Sequence, residues 1–112
     1  MRINIDDTDL DLDMRYLYQG EPFTGEAAET ISGDRVIAVT TYRNGREHGP
    51  SWEWYPEGHM KFEGQARDGR AVGVNRSWHH NGQLAEEQIF DEQGHLISVR
   101  RWDDNGTPQP PT

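Results

Sequence analysis

The sequence predicts an all-β fold: an elongated, single-layer antiparallel β-meander of about eight strands. Three observations predict it. The text repeats at intervals of 24 residues, turn signals recur about every 12 residues, and apolar residues are few but aromatic. Only 32% of the 112 residues are hydrophobic, and the mean hydropathy is -1.01, too polar for a thick core. Four Trp, four Tyr and three Phe nevertheless argue against disorder, which is poor in aromatics. A thin sheet fits both facts.

The repeat is visible by eye. "YRNGREHGPSWEWYPEGHM" at 42–60 lies over "ARDGRAVGVNRSWHHNGQL" at 66–84. Trp54, Trp78 and Trp102 fall in register, as do Gly45 with Gly69, Gly49 with Gly73, and Gly58 with Gly82 and Gly106.

The strands follow from the turns. The first two, near 15–18 and 23–31, flank Gly20 and end at Ser32-Gly33. The next, near 35–42 and 48–55, end at Asn44-Gly45 and Glu57-Gly58. Those near 60–67 and 72–79 end at Asp68-Gly69 and Asn81-Gly82. The last, near 83–90 and 95–102, end at Gln93-Gly94 and Asn105-Gly106. Asn-Gly and Asp-Gly at 44–45, 68–69, 81–82 and 105–106 predict type I′ hairpins, which need positive φ at both central residues.

Within strands, alternation puts Trp52 with Trp54, and Met60 with Phe62, on common faces. Trp54, Trp78 and Trp102 should therefore form a row on one face, filled in by Met60, Phe62 and Leu84, with Trp54 and Trp78 largely buried. Gly25, Gly49 and Gly73 should receive aromatic rings against bare backbone. The organisation expected is an acidic segment at 1–14, a repeat sheet at 15–106 and a Pro-rich flexible tail at 107–112.

Five histidines invite a metal or catalytic reading, above all His79-His80 in "SWHHNGQL". The repeat argues against it. Those positions hold Tyr55-Pro56 one unit earlier and Asp103-Asp104 one unit later, so they read as solvated turn-flanking residues. No P-loop, nucleophile elbow or His-Glu-x-x-His is present, and no cysteine. No catalytic activity, metal or cofactor is expected. Asp7, Asp9, Asp11 and Asp13 have the spacing of an EF-hand loop. The required glycine and glutamate are replaced by Leu12 and Tyr18, so calcium is not expected either.

Charge is the clearest functional signal. The net charge is -9, of which residues 1–34 carry -7. Nucleic acid is not expected as a partner there, because phosphate repels carboxylate and no basic stripe compensates. A basic protein surface suits it instead. Asp6, Asp7, Asp9, Asp11 and Asp13 are the candidate contacts, with Leu10, Leu12 and Met14 turned towards the first strands. No apolar run suggests a membrane partner or a signal segment, and a cytoplasmic protein is expected.

An aromatic, a short spacer, Asn-Gly and an apolar strand, then a second Gly turn, resemble the MORN-repeat variant, as does the opening "GEPFTGEAAE" at 20–29. The resemblance spans 16–106 and is nearer still to the YwqK-type bacterial antitoxin family. It implies a sheet of MORN-like repeats and a protein-binding role as antitoxin or immunity protein against a toxin, without catalytic residues. The alternative is a scaffolding protein acting through its sheet face or by self-association. In the first unit Thr30 stands where the Trp should be.

Overall fold

The computed structural model describes residues 1–110. The chain is all β, with two single-turn 3-10 segments at Ile5–Asp7 and Ser32–Asp34 and no α-helix among the described residues. The strands are β1 (Arg2–Asn4), β2 (Thr8–Leu10), β3 (Tyr16–Tyr18), β4 (Glu21–Pro22), β5 (Gly25–Ile31) and β6 (Arg35–Arg43). They continue as β7 (Arg46–Trp54), β8 (Met60–Arg67), β9 (Arg70–Trp78), β10 (Leu84–Phe90), β11 (Leu96–Trp102) and β12 (Pro108–Gln109).

Strands β5 to β11 form the expected antiparallel meander, each paired to its sequence neighbour. Parallel β1 extends it at one edge and β12 at the other, giving nine open strands in one sheet. The molecule measures 47 × 38 × 20 Å.

The sequence reading missed the second, smaller sheet. β2, β3 and β4 form a three-stranded antiparallel sheet, so the acidic segment is not a free tail. Likewise, part of the expected flexible tail is ordered: Gln109 pairs with Arg101 and Pro108 with Trp102. Residues 111–112 lie outside the described residues.

Two of the four Asn/Asp-Gly turns are type I′. Asn44 and Gly45 have φ of 51° and 83°, and Asp68 and Gly69 have 48° and 88°. At 81–82 and 105–106 only the glycine has positive φ. Those loops are one residue longer. The His79 N–H donates to the Gln83 carbonyl and the Gly82 N–H to the His79 carbonyl, with the same pair of bonds at 103–107, 91–95 and 55–59. This is a three-residue loop with a glycine bulge, not a two-residue hairpin.

The main core cluster does not sit on the tryptophan face. Ile3, Phe23, Ala27 and Tyr42 form it, with Ile5, Tyr16 and Tyr18 packed around. The small sheet covers one face of the large one there and makes a second layer. Pairing of Val39 with Trp52, Trp52 with Glu63, Glu63 with Arg76, Arg76 with Glu87 and Glu87 with Arg100 puts these residues on the opposite face. Trp54, Trp78 and Trp102 lie two residues further along their strands and share that face. Val39 and Ala28 are buried on this face beside Trp52, but among the described residues no second sheet covers it, and Trp54 and Trp78 are half-buried rather than buried.

A register shift explains why Phe62 does not join them. Trp54 pairs with Met60 and Glu53 with Phe62, leaving Lys61 as an extra residue. Phe62 therefore faces the other way and lies across Gly64, where an added Cβ would stand 2.7 Å from its ring. Of the glycines expected to receive rings, Gly25 does, with Phe23 at 2.9 Å from a Cβ placed there. Gly49 meets only Thr41, and Gly73 nothing within 4 Å.

Candidate functional site

The acidic hairpin is built from a turn that the repeats also use. The Asp11 N–H donates to the Arg15 carbonyl, and the Met14 N–H to the Asp11 carbonyl, at 3.0 Å each. The Asp11 carboxylate accepts from the N–H groups of Asp13 and Arg15 at 2.9 and 2.8 Å, as Asp91 does for Gln93 and His95. Met14 holds φ of 63°, where the repeats use glycine. The backbone bond from Arg15, more than any other contact, holds the Asp11 carboxyl below its usual value.

This geometry separates the five candidate aspartates. Asp11 is half-buried and spends its oxygens on the turn. Asp6, Asp7, Asp9 and Asp13 are exposed. Between them the apolar side chains point outward, contrary to expectation. Leu12 is fully exposed, Met14 is 70% exposed and Leu10 is 47% exposed. Leu12 and Met14 lie inside the tight turn, and the underlying core is already filled by Tyr16, Tyr18 and Phe23. Setting "DLDMR" beside "DEQGH" and "DDNGT" would have revealed this turn, but Met in place of Gly hides the match.

The hairpin is held rigidly at its base. The Tyr16 N–H donates to the Gly45 carbonyl at 2.7 Å, and the Gly45 N–H to the Phe23 carbonyl at 2.8 Å. The Tyr16 and Tyr42 rings are 4.9 Å apart, and Phe23 stands 6.1 Å from Tyr42. Burial pushes the Tyr42 hydroxyl well above its usual value.

On the opposite face a groove of about 520 Å³ is floored by Val36, Val39, Trp52 and Trp54. Arg35 and the Arg2–Glu26 ion pair flank it, and Tyr55 and Gly58 form its lip. Sequence reasoning placed no groove there, because it required knowing that no second sheet covers this face among the described residues.

His80 and His95 are exposed at their turns, as expected, whereas His79 is half-buried. His80 Nε2 lies 2.6 Å from a Glu57 carboxylate oxygen, and this bond is the main reason the Glu57 carboxyl sits below its usual value. The His59 and His80 rings are 5.2 Å apart, with Tyr55 5.0 and 4.8 Å from them. His79 Nε2 lies 2.8 Å from the Trp102 carbonyl. Among the described residues no group of three or more His, Cys, Asp or Glu is arranged to hold a metal ion. The repeat glycines at 45, 58, 69, 82 and 106 occupy turns with positive φ. No helix among the described residues is long and apolar enough to cross a membrane.

No family model matches the chain, and no curated protein matches it. Among solved structures it is similar to a crystal structure of a mutant S. aureus TarM in complex with Fondaparinux, alpha-GlcNAc-glycerol and UDP. Identity is 12% and the TM-score 0.44, over 93% of this chain and 19% of that one. Beside that comparison the expectation that the chain is not an enzyme does not stand as made. A likeness of this size assigns no reaction in its place.

Proposed function

We propose that this chain is a protein-binding module of the MORN-variant, YwqK-type kind, acting in the cytoplasm as an antitoxin or immunity protein. It captures a toxin with a basic surface through the hairpin at 8–18. One observation carries the reading: Leu12 and Met14 are exposed at the tip of a hairpin anchored in the core, with exposed Asp13 between them, Asp9 on the adjoining strand, and Asp6 and Asp7 exposed in the single-turn segment at the hairpin's base. Large apolar groups in water on a rigid support suit a partner's pocket, and a charged rim suits orientation and rate. The -7 charge on residues 1–34 selects a basic partner over an acidic one.

Co-expression with the product of a neighbouring toxin gene, followed by co-purification, tests it. Leu12→Ser with Met14→Ser should weaken capture at least tenfold while leaving the fold intact. Equal capture by parent and double variant would move the contact to the sheet. The grooved, half-open tryptophan face supports the second reading, a scaffold acting through that face.

A further inference from the structure

Each tryptophan of the repeat pairs with the first residue of the next strand: Trp54 with Met60, Trp78 with Leu84 and Trp102 with Pro108. The strands so begun are of very different length. β8 runs for eight residues and β10 for seven, but β12 for two. Pro108 and Pro110 explain the stop, because proline donates no ladder hydrogen bond. Among the described residues, Leu96–Arg100 of β11 therefore has a strand neighbour on one side only. Its other side presents the unpaired peptide groups that a further strand would satisfy. The space beside it is a groove of about 420 Å³ between Ser98–Trp102 and Pro108–Gln109. Earlier along the same edge strand, outside the groove, Leu96 and Ile97 are exposed at 51% and 65%.

Charge says what would fit. Along the cross-strand row, Glu63, Arg76, Glu87 and Arg100 alternate in sign. Arg76 serves both its neighbours, 3.6 Å from Glu63 and 3.1 Å from Glu87. Arg100 ends the row, exposed, with no ion pair among the described residues. The next strand would continue the alternation with a carboxylate. A second copy of this chain would offer the same arginine-bearing edge and would bring another -9 of charge.

We propose that the Leu96–Arg100 edge of β11 is a strand-acceptor site for an extended segment of a partner protein, docked antiparallel with a carboxylate beside Arg100. The peptide ladder supplies the binding and the carboxylate sets the register. The site lies at the β11 end of the sheet, whereas the acidic hairpin packs at the β1 end, so the two stand or fall separately.

The probe is a labelled peptide with the sequence of Leu84–Phe90. That sequence already pairs with β11 on its covered side, with Glu87 opposite Arg100. Fluorescence anisotropy with the full chain should show saturable binding, and hydrogen exchange should slow at Leu96–Arg100. Arg100→Glu should weaken binding roughly five- to tenfold, and a peptide with lysine at both glutamate positions should restore it. Leu12→Ser, at the other end, should change nothing. No saturable binding by the folded parent up to millimolar peptide overturns the proposal. So does protection mapped to another strand, or sedimentation showing the edge already closed in a dimer.

Discussion

Tyr55 and His79 occupy the same position in successive repeats and bridge to the next repeat in the same way. The Tyr55 hydroxyl donates to the Trp78 carbonyl at 2.7 Å, and His79 Nε2 donates to the Trp102 carbonyl at 2.8 Å. A 24-residue period in text has become a period of hydrogen bonds between turns. At the other edge, the Gly45 N–H donates to the Phe23 carbonyl and the Gly69 N–H to the Glu47 carbonyl, both at 2.8 Å. Away from the small sheet the large sheet is a single layer, with little core to hold successive hairpins in place. These turn-to-turn bonds supply part of that constraint.

Tyr55→Phe and His79→Leu should each lower stability by about 1 kcal/mol, the usual net value of a partly buried hydrogen bond. Urea midpoints at constant slope measure this. Midpoints equal to the parent would mean that the bridges are incidental.

Gly45 and Gly69 offer a controlled comparison. Their φ angles, 83° and 88°, impose similar strain on alanine. Only Gly45 is crowded: a Cβ there would lie 2.8 Å from the Arg15 Cβ and 2.9 Å from the Tyr16 carbonyl, whereas Gly69 has nothing within 4 Å. Gly69→Ala should cost about 1 kcal/mol, and Gly45→Ala at least twice as much, because the hairpin base must move. Equal losses would show that the hairpin does not dock on that turn.

The position of the core makes a third test. Phe23→Ala should cost about 3–5 kcal/mol as a buried large-to-small change. Trp78→Ala, on the half-open face, should cost about 1–2 kcal/mol. The reverse order would return the core to the tryptophan row.

Acid should destabilise the turns. Backbone N–H bonds, from Arg15 to Asp11 and from His95 to Asp91, hold both carboxyls below their usual values. A depressed folded-state value means stability that is present above the unfolded value, near pH 4, and lost as pH falls through the folded value. Asp91→Asn keeps an acceptor oxygen but has no charge to lose. Its urea midpoint should fall less than the parent's between pH 6 and about pH 2.5. Parallel falls would remove Asp91 from the acid response.

The repeat made the meander legible because Gly turns and aromatics recur in register, and the strands of 15–102 emerged within a few residues. Three features escaped for physical reasons. The hairpin at 8–18 uses Met14 where glycine marks every other copy of its turn. The extra residue Lys61 inverts the face of Phe62, which strict alternation cannot anticipate. The Leu10, Leu12 and Met14 side chains read as inward-facing because apolar residues usually are, and only the filled core beneath them shows otherwise. Of the five candidate aspartates, Asp11 turned out to build the turn that displays Asp13, Leu12 and Met14.

The most direct test of the binding account is the toxin association rate against ionic strength. The parent is compared with a variant carrying Asp6, Asp7, Asp9 and Asp13 changed to Asn, with Asp11 left to hold the turn. Steering by exposed charge acts over about 30 Å at 0.01 M salt and about 10 Å at 0.1 M. The account predicts that the parent associates faster at low salt and that the two curves converge as salt rises. Superimposed curves across the whole range would contradict it.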